Sequence, residues 1–274
     1  MNKKIKATKG IVSIITIVRN GVDQIEETIK SVISQKDVNL QYIIIDGNST
    51  DGTLGIIEKY KGHINIVISE PDKGIYDAIN KGIKHATGDL IGLIHCGDKY
   101  NDGILSLCYQ KFIETQKDII YGDTSILEQT EKNEILRNKS TNHLLLKKKM
   151  SIFHPSTFVS RECYSINGLY NQNYKIAADY DFLLRNFLAG VSFEYLPISL
   201  ATFRSGGASG NAIKLTKELF LIWEKHLGLL SAIRNTTFRL TNIGYYYLRK
   251  KMVVSIIGKN NYNKLKLKKY KQND

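Results

Sequence analysis

The chain has 274 residues, 39 Lys+Arg against 26 Asp+Glu, and a formal charge of +13. Hydrophobic content of 42% and charged content of 24% are those of a folded protein, so a disordered bulk is excluded. Residues 234–274 hold eleven basic residues and one acid, Asp274, which leaves the first 233 residues with only +3. The three cysteines, Cys96, Cys108 and Cys163, are scattered with no CxxC spacing, so neither a zinc cluster nor a disulfide framework is signalled.

The first element expected is a strand over 11–18, IVSIITIV, a short apolar β-branched run bounded by charge. Lysines precede it, but Arg19 ends it and no small-residue cleavage site follows, so it reads as a strand and not as a signal peptide. Val22, Ile25, Ile29, Val32 and Ile33 then share one helical face. A second strand, 40–45, ends in the turn-rich run Asp46-Gly-Asn-Ser-Thr-Asp-Gly-Thr53. A short helix, a strand at 64–69, a helix at 75–86 and a strand at 90–95 complete the first hundred residues. This alternation predicts a parallel α/β sheet with its ligand beyond the carboxyl ends of the strands. Further on, a helix at 103–115, a strand at 118–122 and a helix at 175–189 are expected, followed by amphipathic helices after 211. No window reaches the ~18 apolar residues that a membrane-spanning helix needs.

Four constellations lie where such a sheet collects its ligand. Asp46 follows a strand and could meet a base or ribose, or could stabilise its own turn. Thr53 stands where a phosphate-binding P-loop needs Lys, and no GxGxxG follows the first strand, so P-loop and dinucleotide readings lose their support. Ser69–Gly82 is an acidic loop shaped by Pro71 and Gly74 that enters a helix bearing Lys73, Asp77, Asn80 and Lys81. Asp98, in His95-Cys-Gly-Asp98, could hold a divalent cation on two phosphates. Asp179 has small neighbours, Ala177 and Ala178, that would let a substrate approach a general base, whereas Asp181 and Arg185 have i,i+4 spacing.

In their order along the chain these segments resemble the family-2 glycosyltransferases with the GT-A fold. The likeness rests on Ser13-Ile-Ile-Thr-Ile-Val-Arg-Asn20, the Asp46–Thr53 and Ser69–Gly82 segments and Ala86-Thr-Gly-Asp-Leu-Ile-Gly92. It continues through His154-Pro-Ser-Thr-Phe158, Ala178-Asp-Tyr-Asp181 with Arg185, and Phe203-Arg-Ser-Gly-Gly-Ala-Ser209. The subgroup it is most similar to builds bacterial O-antigen, capsule and exopolysaccharide.

The resemblance implies a GT-A domain over 1–210, a mostly parallel sheet flanked by helices, and a basic helical membrane-associating region over 211–274. It implies donor contacts from Thr16, Asn20, Asp46, Asp72, Lys73, Asn80, Gly206 and Gly207. Asp98 and His154 would serve a Mg2+ or Mn2+ ion, Asp179 would be the catalytic base, and Asp181 and Arg185 would lie toward the acceptor. Gly97 departs from the two adjacent acids common in relatives, which would weaken metal binding. The QxxRW signature of processive synthases is absent, since the sole Trp, Trp223, precedes Glu224, so transfer of one sugar is expected.

The implied reaction is inverting transfer from a nucleotide sugar, UDP-linked by expectation, to a polyprenyl-diphosphate-linked saccharide, forming a β-linkage. A nucleotidyltransferase, or a non-catalytic sugar-nucleotide or membrane-binding module, is the alternative. Tyr245, Tyr246, Tyr247, Leu248 and Met252 beside Arg249, Lys250 and Lys251 suit an anionic inner-leaflet surface more than nucleic acid. A cytoplasmic, peripheral location on the inner membrane follows as the expectation.

Overall fold

The computed structural model describes residues 10–129, 134–205 and 211–258. In chain order it contains β1 (Ile11–Val18), α1 (Ile25–Ile33), β2 (Asn39–Asp46), α2 (Thr53–Lys59), β3 (Ile66–Ser69), α3 (Ile75–His85) and β4 (Leu90–Leu93). Then come β5 (Lys99–Tyr100), α4 (Ile104–Thr115), β6 (Ile119–Gln129), β7 (Glu134–Lys139), β8 (Thr157–Ser160), α5 (Arg161–Asn167) and α6 (Ala178–Leu188). β9 (Phe193–Arg204), α7 (Ala212–Leu227) and α8 (Leu229–Ile257) follow.

One nine-stranded sheet runs β3-β2-β1-β4-β8-β6-β9-β5, with β7 paired to β6. Strands β3, β2, β1 and β4 are parallel, as the alternation of elements predicts. β8 then runs antiparallel to β4 and β6, and β5 to β9. The parallel order thus ends at β4, whose carboxyl end carries Asp98.

Side chains alternate across a strand, and the two faces of the sheet bury separate sets. Val12, Ile14, Tyr42 and Ile44 pack with Ile25, Ile29 and Val32 of α1. Ile15, Ile17, Ile43 and Ile45 pack with Ile79 and Ile83 of α3. Each such buried isoleucine contributes about 2 kcal/mol. Gly82 lets α3 approach closely, since a Cβ there would collide with the Ile15 side chain. The second face extends to α6 and onward to Leu219, Ile222 and Trp223 of α7 and Ala232 of α8, all buried. The division expected at residue 210 therefore does not separate two cores. Gly228, with φ +81, turns α7 into α8.

Candidate active site

The carboxyl ends of β1 and β4, the start of α3 and α6, and α7 and α8 enclose one cleft of about 1040 Å3. Asn20, Asp72, Asp98, His154 and Asp179 all line it. The topology brings together groups up to 159 positions apart in sequence.

At the donor end, Asn20 adopts φ 51 and ties two loops together. Its amide nitrogen donates to Ser49 Oγ at 2.8 Å, and its Oδ1 accepts from the Thr50 amide at 2.9 Å. Asp51 also lines this end and accepts from the Val22 amide at 3.0 Å, a residue the sequence reasoning passed over. The Thr53 hydroxyl holds the Asp51 carboxyl below its usual range. Asp72 accepts from the Gly74 amide at 2.9 Å and faces the cleft.

Several expected donor contacts are placed elsewhere. Thr16 has the wrong parity on β1: it points to the α1 side, fully buried, with its hydroxyl 3.0 Å from that of Tyr42. Asp46 is also fully buried, and its carboxylate accepts from the Ser49 amide at 3.0 Å and the Ser69 hydroxyl at 2.7 Å. It fastens the β2 and β3 loops together, the turn-stabilising alternative. Asn80 is buried and exchanges two hydrogen bonds with the backbone of Tyr170, at 2.9 and 3.0 Å, so it pins the 170 loop to α3. Lys73 is exposed and does not line the cleft. Gly206 and Gly207 lie outside the described residues.

The turn after β4 presents Asp98. Thr28 of α1 fixes it, accepting from the Gly97 amide at 3.0 Å and donating to the Asp98 carbonyl at 2.8 Å. Gly97 has φ +96, where an L side chain is strained, and a Cβ there would collide with Gln24. The departure from two adjacent acids therefore suits the positive φ of this turn, where a second acid would be strained.

Asp98 is 3% exposed; Oδ1 accepts from the Arg204 amide at 2.9 Å, and Oδ2 lies 3.7 Å from His154 Nε2. Burial raises the Asp98 pKa to about 6 and lowers that of His154 to about 4. At neutral pH an ionised carboxylate thus faces a neutral imidazole, so the contact is not an ion pair. The rings of His154 and His95 stack with centroids 4.1 Å apart, and burial lowers the His95 pKa to about 3.

His154 Nε2 is buried with no hydrogen-bond partner. A carboxylate oxygen and an unprotonated imidazole nitrogen facing the same space are a donor pair that suits a divalent cation. No group of three or more His, Cys, Asp or Glu stands ready for a metal among the described residues. Two protein donors leave most positions for ligand oxygens and water, as hard cations on phosphates commonly have.

Asp179 stands at the second position of α6. Its Oδ1 accepts from the Tyr180 amide at 2.9 Å and lies 3.1 Å from the Tyr76 hydroxyl. Burial raises its pKa to about 6. The peptide leading into α6 is clamped from α7, where the Glu218 carboxylate accepts from the amides of Lys175, Ile176 and Ala177 at 3.0, 2.9 and 3.0 Å. Sequence reasoning missed Glu218, which sits alone in an amphipathic helix. Its only signal is an acid at a position facing the core.

Asp181 and Arg185 do not reach the cleft. Asp181 is fully buried, 2.9 Å from Arg185 Nη1 and 2.8 Å from His226 Nε2 of α7. Arg185 also donates to the carbonyls of Gly168 and Leu169. The pair binds α6 to α7 and to the 168 loop, and neither residue lines the cleft where the acceptor role was expected.

A parallel sheet that turns antiparallel beside the strand that leads to a buried, cleft-lining Asp, with a second carboxylate in the same cleft, has the architecture of GT-A glycosyltransferases. The match to the profile of "Glycosyl transferase family 2" over residues 13–168 confirms the class, and the chain belongs to that family. It is 27% identical over 199 residues to a PGL/p-HBAD biosynthesis glycosyltransferase of Mycobacterium bovis, covering 67% of this chain and 72% of the relative. The chain spans about a third of the length of curated mycobacterial relatives that it matches at 40% identity.

Two solved structures share the fold. TarS 1-349 of S. aureus in complex with UDP-GlcNAc superposes with TM-score 0.63 at 18% identity, over 77% of this chain and 65% of that one. The mannosyltransferase PcManGT of Pyrobaculum calidifontis, in complex with GDP-Man and Mn2+, superposes with TM-score 0.63 at 14% identity, over 96% and 85%.

Proposed function

We propose that the chain is an inverting, non-processive, metal-dependent glycosyltransferase that moves one sugar from a nucleotide sugar to a lipid-linked saccharide. The observation that carries this reading is the shared cleft: the Asp98–His154 pair and the half-buried Asp179 carboxylate both open into it.

In this mechanism Asn20 and Asp72 border the nucleoside of the donor. Asp98 and His154 would hold a Mg2+ or Mn2+ ion, which when bound offsets charge on the departing diphosphate. Asp179 takes the proton of the acceptor hydroxyl as that oxygen bonds to the anomeric carbon and the bond to the diphosphate breaks. Its pKa of about 6 leaves it ionised at neutral pH and more basic than an ordinary aspartate. Tyr76 and the Tyr180 amide fix Oδ1 and leave Oδ2 for the acceptor. One displacement inverts the anomeric centre, so an α-linked donor gives a β-linkage.

UDP-linked donors are favoured because one structural neighbour is a UDP-GlcNAc complex, and the GDP-Man–Mn2+ complex of the other supports a cation. A role in bacterial surface polysaccharide synthesis is supported by the likeness to a putative teichuronic acid biosynthesis glycosyltransferase of Bacillus subtilis.

Peripheral attachment to the cytoplasmic face of the inner membrane rests on α8, where Tyr245, Tyr247, Leu248, Met252 and Ile256 are exposed next to Arg249, Lys250 and Lys251. No helix among the described residues is long and apolar enough to cross a membrane. A panel of nucleotide sugars, assayed for hydrolysis and transfer with and without Mn2+, tests the reading. Mn2+-dependent turnover of one donor supports it, and no turnover of any donor under either condition rejects it.

A further inference from the structure

The cleft is longer than the donor end described above. Its lining also includes Lys139, Lys148, Lys149 and Arg239. None of these pairs with an acid among the described residues.

The four cations line the same cleft. Lys139 Nζ lies 4.6 Å from the centroid of the Phe153 ring. Lys149 is near enough to Lys139 to lower its pKa by repulsion, after burial, the larger cause. The segment that bears Lys148 and Lys149 is tied to α8, because Asn235 donates to the Lys147 carbonyl at 2.9 Å, and Arg239 stands one turn beyond Asn235. Arg239 is half-buried, and its Nε donates to Thr216 Oγ1 at 3.0 Å. Its two terminal nitrogens make no hydrogen bond among the described residues.

Like charges that line one cleft give it a positive potential that attracts an anion. The donor diphosphate is accounted for at Asp98 and His154. Beside Arg239 the cleft lining is apolar, with Leu215, Phe238 and Ile243, and Phe238 is exposed. A ligand that fits cations and apolar side chains in one cleft is an amphiphile with a phosphate head.

We infer that Lys139, Lys148, Lys149 and Arg239 form a second anion subsite, separate from the donor diphosphate position, that holds the diphosphate of a lipid-linked acceptor. This inference rests on the proposed function for its account of the donor end. The subsite fixes the acceptor by its phosphates, so its saccharide hydroxyl is presented to Asp179 whichever sugar it carries.

Farnesyl diphosphate titrated into the full chain by calorimetry, in EDTA, is the test. The subsite needs no metal, so binding is expected in EDTA, weakening as salt rises. Farnesol, which lacks the phosphates, is expected not to bind. The variant Lys148→Gln/Lys149→Gln/Arg239→Gln is expected to lose about tenfold or more in affinity through lost charge-assisted contacts. Its UDP affinity with Mn2+ is expected to stay within about threefold of the parent. Lys148→Gln/Lys149→Gln alters only exposed side chains, so it keeps the test valid if the Arg239 change unfolds the chain; a loss of about threefold or more is expected of it.

Unchanged farnesyl diphosphate affinity in both variants overturns the subsite. So does a parallel loss of UDP binding, which would assign these cations to the donor. Loss of binding to phosphatidylglycerol vesicles alone, with farnesyl diphosphate unaffected, assigns them to a lipid headgroup and also overturns it. Failure of the parent chain to bind any nucleotide would reject the proposed function, and the farnesyl diphosphate result would stand by itself.

Discussion

Glu218 of α7 and Ala177, two residues before Asp179, are joined by a hydrogen bond of 3.0 Å. The same carboxylate holds the amides of Lys175 and Ile176, so a residue beyond the family match sets the height and tilt of α6 at its first turn. Its negative charge also adds to the elevation of the Asp179 pKa, behind the larger effect of burial.

Glu218→Ala is expected to lower stability by about 3 kcal/mol, because three amides lose a charged acceptor in a buried setting. Glu218→Gln keeps one acceptor oxygen and is expected to fall between the two. Urea denaturation of both variants measures this. If Glu218→Ala unfolds at the same midpoint as the parent, the clamp is not structural.

Asp179→Asn removes the base but keeps the volume and the Oδ1 contacts. Transfer is expected to fall by about 10²- to 10⁴-fold, the usual contribution of general-base catalysis. Donor affinity is expected to change by no more than a few fold. Steady-state kinetics with calorimetry on the same protein separates the two, and near-parental kcat would remove Asp179 from the mechanism.

The pKa of Asp179 has a second consequence. Folding raises it from the ordinary 3.8 to about 6, so the folded state binds that proton more tightly than the unfolded chain. The group's stabilising contribution is complete below about pH 4 and is lost as pH rises through about 6. Asp179→Asn, uncharged at every pH, is therefore expected to exceed the parent in stability at pH 7.5, by on the order of 2 kcal/mol, and to lose that advantage near pH 4. Activity runs the opposite way: the base must be ionised, so kcat should decline as pH falls below about 6. Melting curves and rate profiles across pH 4–8, in metal-free buffer for the former, check both signs.

Chelation is expected to stop transfer and Mn2+ to restore it. Asp98→Ala is expected to abolish the restoration, since it deletes the only charged donor of the Asp98–His154 pair. His154→Ala is expected to raise the Mn2+ concentration needed by about tenfold. Activity against free Mn2+ measures both, and a parental curve for Asp98→Ala would place the cation elsewhere.

Asp181→Ala should behave as a core lesion. It strands Arg185 and His226 and is expected to cost about 3 to 5 kcal/mol, the usual penalty for breaking a buried pair. At temperatures where it remains folded, its acceptor KM is expected to match the parent. A raised KM with normal stability would return Asp181 to the acceptor site.

The parallel half of the sheet was legible because β-branched runs and helical faces alternate cleanly from Ile11 to His95. Asp98 and Asp179 were legible as acids at the ends of elements. What the sequence hid depends on parity and partners. Thr16 differs from a cleft-facing residue only by one step along β1. Asn80, Asp181 and Arg185 have side chains suited to ligands, and only the positions of Tyr170, His226 and the Gly168 carbonyl show that these groups are already engaged. The same limit hid Glu218, whose partners are backbone amides with no residue signature at all.

The shared burial of Leu219, Ile222 and Trp223 with the sheet also governs how such a chain can be recombined. A graft that joined the first 210 residues to the tail of a relative would keep every family motif and yet discard Glu218, Trp223 and α8, whose residues line the cleft. Specificity and assembly would be exchanged together. In this chain a new tail is also a new back wall for the reaction.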